Sequence, residues 1–105
     1  MSLGDLEQLV MLALMRLGSD GFGAAVQREI EERTGRSVTL GAVYTALARL
    51  EEKEYVVSVV GDPLPQRGGR RRRLYRVLPA GRAATSDAYR AMRELARGLR
   101  AHLES

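Results

Sequence analysis

Tyr55-Val56-Val57-Ser58-Val59-Val60 and, after thirteen intervening residues, Leu74-Tyr75-Arg76-Val77-Leu78 are the stretches that decide the fold. The first is β-branched and aromatic, and the second alternates apolar with polar residues at the period of a half-buried strand. Between them, Gly61 to Arg73 contains Pro63, Pro65, Gly68 and Gly69 and is predicted as a long hairpin loop. The segments before and after this unit repeat their apolar residues at helical spacing instead.

Upstream, Leu6, Leu9, Val10, Ala13, Leu14 and Leu17 mark a helix over Asp5 to Leu17, with Asp5 as N-cap or first-turn acid. Met11, Leu12 and Met15 make it apolar nearly all round, so it should be covered on more than one side. Gly18 to Gly21 is a turn, and a second helix runs from about Gly23 to Thr34, stopped by Gly35. Thr39 offers a capping hydroxyl for a third helix reaching about Lys53, with Val43, Leu47 and Leu50 inward. Downstream, Pro79 suits the first turn of a last helix extending to about Leu103. Three helices, a hairpin and a long final helix make a mainly α fold with a small β-hairpin. That is the order of a winged helix-turn-helix over residues 1–78, followed by a C-terminal dimerisation helix over 79–105.

Charge narrows the function. Residues 1–60 carry six basic and nine acidic side chains, net −3, whereas residues 61–105 carry eleven basic and four acidic, net +7. Arg70-Arg71-Arg72-Arg73, directly after Gly68-Gly69, cannot be buried and is expected to project from the hairpin as a basic finger. Guanidinium grips phosphate through a planar fork, which points to nucleic acid. A membrane surface is disfavoured because this loop lacks interleaved bulky apolar residues, and the longest apolar run, Leu9 to Met15, is far below the ~20 residues needed to span a bilayer. No secretory signal is visible, and the lack of cysteine suits a cytoplasmic protein.

In a helix-turn-helix the second helix of the pair presents its N-terminal residues to the major groove. Here that start is small and uncharged. Thr39, Gly41, Ala42, Tyr44 and Thr45, with Arg49 one turn on, are the candidate DNA contacts, joined by Arg67 and Arg70 to Arg73 on the wing. Each has a plainer alternative. Thr39 is a cap in any case, Tyr44 could rim the core, Gly41 and Ala42 could pack on the second helix, and Arg49 could merely balance Glu52.

In the last helix Thr85, Tyr89, Met92, Ala96, Leu99 and Leu103 step by 4, 3, 4, 3 and 4, widened by Leu95. Together with Leu9 and Leu12 of the first helix, Tyr89, Met92, Leu95, Ala96, Leu99 and Leu103 are the candidate dimer interface. An enzyme is not indicated. His102 is the only histidine, there is no cysteine or phosphate-binding glycine loop, and the acidic clusters Glu29-Glu31-Glu32 and Glu51-Glu52-Glu54 are expected on solvated helix faces. No metal or cofactor is expected. The rival reading is a winged-helix protein-interaction module with an acidic partner.

Leu3-Gly4-Asp5-Leu6-Glu7, Gly21-Phe22-Gly23, Gly41-Ala42-Val43-Tyr44-Thr45-Ala46-Leu47, Leu50-Glu51-Glu52-Lys53, Arg71-Arg72-Arg73-Leu74-Tyr75-Arg76-Val77 and Ala80-Gly81-Arg82 together resemble the PadR family of bacterial transcriptional regulators. The resemblance covers about residues 3–84. It implies a dimeric repressor on a pseudo-palindromic operator, in some short members relieved by a drug or phenolic compound at the dimer interface. Tyr89, beside Met92, is the only aromatic in the final helix that such a ligand could use. Two residues depart from the family pattern. Glu54 replaces a glycine suited to a left-handed helix end, and Leu78 replaces a capping threonine.

Overall fold

The computed structural model describes residues 3–63 and 71–104. Arg67 and Arg70, both candidate contacts, lie outside them.

Helix α1 (Asp5–Leu17) starts where the Glu7 carboxylate accepts the Gly4 N–H at 2.8 Å, with Asp5 and Glu7 opposing the helix dipole. It buries Val10, Met11, Ala13 and Leu14. A 3₁₀ turn (Gly18–Asp20) leads to α2 (Gly23–Thr34), which ends on Gly35 in the left-handed region, φ 71°. Helix α3 (Leu40–Glu52) is capped by Thr39, whose hydroxyl oxygen accepts the Ala42 N–H at 3.0 Å. Val26, Ile30, Val43, Leu47 and Leu50 close over Met11 and Leu14 in one core. Full burial of each such side chain contributes about 1.5–3 kcal/mol.

The end of α3 explains the departure at position 54. The Tyr55 N–H reaches the Leu50 carbonyl at 3.0 Å and the Glu54 N–H reaches that of Glu51 at 3.0 Å, the pairing that follows a left-handed residue after a helix. Glu54 holds that position at φ 61°. A side chain with a Cβ is strained there by roughly 1–2 kcal/mol.

Strands β1 (Val56–Pro63) and β2 (Arg71–Val77) pair antiparallel, with Val56 opposite Val77, Ser58 opposite Tyr75 and Val60 opposite Arg73. The hairpin loop expected over Gly61 to Arg73 is therefore shorter, because pairing resumes at Pro63 and Arg71 after an irregular step beyond Val60. The ribbon is buried at its base, through Val56 and Tyr75, and exposed farther out at Val59, Val60 and Arg73, where charge is accommodated; a strand end is where proline is tolerated. The ribbon is fastened to the helices. The Tyr75 N–H bonds the Gly21 carbonyl at 2.8 Å, and Phe22 bridges to Leu74. Position 21 must be glycine, since a Cβ there would lie 2.8 Å from Leu14 Cδ2 and 2.9 Å from the Tyr75 carbonyl oxygen.

Helix α4 (Pro79–Ala96) starts with Leu78 at the cap position, without a side-chain cap, and Pro79 in the first turn. It is anchored by Gly81, where a Cβ would fall 2.2 Å from the Tyr55 carbonyl oxygen, and by Gln8, whose Nε2 donates to the Thr85 carbonyl at 3.1 Å. The last helix was expected to reach Leu103 but stops at Ala96. Arg97 is extended (ψ 133°) and Gly98 is left-handed (φ 82°), before a single turn, α5 (Arg100–Leu103). Glycine is a weak helix former, and the apolar side chains around it, Leu95 and Leu103, are largely exposed and so add little packing to override it. No helix among the described residues is long and apolar enough to cross a membrane.

Candidate nucleic-acid interface

The inward positions of α3 leave an outward face made of Leu40, Gly41, Tyr44, Thr45, Ala48 and Arg49, all exposed. Around Gly41 nothing lies within 4 Å of where a Cβ would stand, so tight packing does not explain this glycine. Ala42 is half-buried. The Thr45 hydroxyl donates to the Gly41 carbonyl at 3.0 Å and keeps its oxygen free to accept. Tyr44 is both rim and surface. Its ring rests on Gly23, where a Cβ would come within 2.5 Å of Cζ, yet 43% of the residue is exposed.

Arg49 forms no ion pair with Glu52 among the described residues. Instead it flanks a groove between the start of α1 and α3, lined also by Gly4, Glu7, Thr45 and Lys53. Glu7 is buried there with Lys53 Nζ at 2.7 Å from its Oε1. Burial pushes the Glu7 carboxyl up, but the Lys53 hydrogen bond, the Gly4 N–H and the charges of Lys53 and Arg49 outweigh it and hold the group below its ordinary range.

On the hairpin, Arg71, Arg72 and Arg73 belong to β2 rather than to a loop, and Arg73 is exposed. Its Nη1 donates to Ser58 Oγ at 3.1 Å. Ser58 in turn donates to Glu51 Oε2 from both its hydroxyl (2.7 Å) and its N–H (3.2 Å). Glu51 was expected on a solvated face. It is half-buried because β1 folds back along the end of α3. Beneath this junction Tyr75 is buried. Burial raises its phenol above the ordinary value, the Arg73 charge opposes that, and Glu51 and Tyr44 add to it.

The candidate interface on α4 is open. Tyr89 is 54% exposed, Met92 70% and Leu95 81%, whereas Ala96 is half-buried. Leu99 and Leu103 are exposed but fall beyond the helix break, so they do not extend the stripe in register. On α1, Leu12 is exposed and Leu9 half-buried. Both line a groove between α1 and α2 with Met15 and Ile30, rimmed by Arg16 and Arg33 on Glu29 at 3.2 and 2.8 Å.

Sequence reasoning missed Leu40, Ala48, Glu51 and Ser58. Ala48 was findable, lying four residues after Tyr44 and seven after Gly41 on one helix face. Leu40 was not, because an apolar residue at a helix start reads as core. The Glu51–Ser58 contact depends on how the chain turns at Glu54.

The sequence model described as "Transcriptional regulator PadR-like family" matches residues 11–87. "Transcriptional regulator Rv3488" of Mycobacterium tuberculosis is 44% identical over 77 residues, 71% of this chain and 65% of that protein. The chain thus spans just under two thirds of the length of this curated relative. Among solved structures, a PadR family transcription regulator from hypervirulent Clostridium difficile R20291 superposes with a TM-score of 0.74 at 20% identity, covering 97% of this chain and 100% of that one. A transcriptional regulator from Clostridium thermocellum gives 0.73 at 21% identity, covering 90% and 88%. At these identities the structural likeness speaks for the fold.

Proposed function

This chain belongs to the PadR-like family of transcriptional regulators, and from that premise we propose that it acts in the cytoplasm as a homodimeric repressor on a pseudo-palindromic DNA operator. The family is one of regulators, not enzymes. The observation that carries the reading is the outward face of α3. Gly41 meets nothing, Thr45 keeps an acceptor free, and Tyr44 is half-exposed, so a nucleic-acid backbone can come close and exposed helix-start N–H groups can meet phosphate.

Thr39, Gly41, Ala42, Tyr44, Thr45 and Arg49 form the groove-facing set. Arg67 and Arg70 to Arg73 supply sequence-independent grip on flanking phosphate. The exposed Tyr89, Met92 and Leu95 of α4, with Ala96 and with Leu9 and Leu12 of the first helix, support a two-fold seam. Leu99 and Leu103 join it as a separate patch after the break. A flat aromatic effector beside Tyr89 is the ligand this seam would accommodate. Residues 1–78 then read DNA and 79–105 pair the subunits.

The test is a salt series on duplex DNA taken from upstream of the protein's own gene. Affinity should fall steeply, with about −0.9 in the log–log slope for each phosphate neutralised. Replacing Arg71 and Arg72 with Ala should weaken all duplexes alike and flatten the slope. Binding that ignores salt and these substitutions would sink the DNA reading in favour of a protein partner.

A further inference from the structure

Three side chains from three elements meet where α3 passes the hairpin. Glu51 follows Tyr44 by seven residues, two turns along the same outward face of α3. Its Oε2 accepts both the N–H and the hydroxyl of Ser58 on β1, and the same hydroxyl oxygen accepts Nη1 of Arg73 on β2. The hydroxyl thereby donates in one direction and accepts in the other. Arg73 does not pair directly with Glu51 among the described residues, so serine separates the two charges. The guanidinium stays exposed, and among the described residues a single Nη1 N–H of its five donors is committed.

We propose that Glu51 and Ser58 are positioning residues for Arg73. They aim its free N–H donors at the phosphate backbone beside the groove entered by α3, and they lock the wing to that helix. The inference rests on the reading that the wing grips phosphate. An arginine held before contact loses less freedom on binding than a mobile one, so the relay strengthens binding without adding a positive charge.

That distinction makes it testable. Full-length protein is titrated against a fluorescein-labelled mixed-sequence duplex long enough for two half-sites, over a range of salt, with thermal melts of each variant. Arg73→Ala should lower the salt slope by about 0.9 per protomer. Ser58→Ala should weaken binding roughly three- to tenfold with the slope unchanged, because it removes order and no charge. Ser58→Thr, which keeps the hydroxyl, should restore it. In the Arg73→Ala background, Ser58→Ala should have no further effect.

Glu51→Ala supplies an independent arm should Ser58→Ala fail to fold. Removing a negative charge beside a polyanion would tighten binding by Coulomb attraction alone, whereas loss of the relay loosens it. Wild-type affinity in Ser58→Ala, additive losses in the double variant, or tighter binding by Glu51→Ala would each overturn the positioning role and leave the wing reading standing. An unchanged slope in Arg73→Ala also overturns the positioning role, since Arg73 then meets no phosphate, and the wing reading fails only if replacing Arg71 and Arg72 leaves the slope unchanged as well.

Discussion

Helices α3 and α4 carry similar amphipathic patterns and lean on the same core, yet they end in opposite conditions. Helix α3 buries Val43, Ala46, Leu47 and Leu50 and exposes mostly small or uncharged residues at its start. Helix α4 buries only Gly81 and Thr85 and leaves Tyr89, Met92 and Leu95 in solvent. One helix is satisfied within its own chain and offers a face that another backbone can approach. The other has more apolar surface than the described residues of this chain cover. An apolar stripe in a sequence therefore does not say what covers it, and the tertiary arrangement shows that the other described residues of this chain leave the α4 stripe open.

The contrast can be broken from either side. Leu47→Ala should cost about 2–5 kcal/mol in urea unfolding, because it hollows a site the surrounding core cannot refill. Leu95→Glu should leave the isolated subunit folded but weaken self-association by roughly 3 kcal/mol, about a hundredfold. Sedimentation of that variant as an intact dimer would show that α4 is not the seam. A smaller effect sharpens the picture of how α3 ends. Glu54→Gly should stabilise the protein by about 0.5–1 kcal/mol, the relieved left-handed strain less the added freedom of the unfolded chain. No gain in the urea midpoint would mean that the strain is relaxed in solution.

The smallest effect concerns the tie between α1 and the end of α3. Glu7 is held below its ordinary value of 4.5. A carboxyl whose folded value is depressed adds stability above the unfolded value and loses it as pH falls through the folded one. Stability should therefore decline below about pH 4.5 in the native protein, and that part of the decline should be shallower in Glu7→Gln.

Most of the architecture was legible. Asp5 to Leu17, Gly23 to Thr34 and the Thr39 cap could be read from spacing and end signals, since each helix carries its own periodicity and its own stop. The extent of the last helix was not, because the 4-3 spacing through Leu103 outweighed the one local signal against it, Gly98. The hairpin was also read as more loop than it is, since prolines and arginines are poor strand formers in general but acceptable on an open ribbon. Candidate contacts on α3 followed from periodicity. The Glu51–Ser58–Arg73 relay left no pattern, because it joins positions that only the reversal at Glu54 brings together.

That relay also bears on solubility. β2 is covered on one side by the Phe22 bridge and the Gly21 carbonyl, so β1 is the sheet's open margin. Val57, Val59 and Val60 make it an apolar margin, the sort on which a strand from another molecule can add. The outward N–H at its middle, that of Ser58, is already taken by the Glu51 carboxylate. An incoming strand would have to displace a charged acceptor to form its central bond. The carboxylate that steadies the ribbon thus also occupies the donor that an added strand would need.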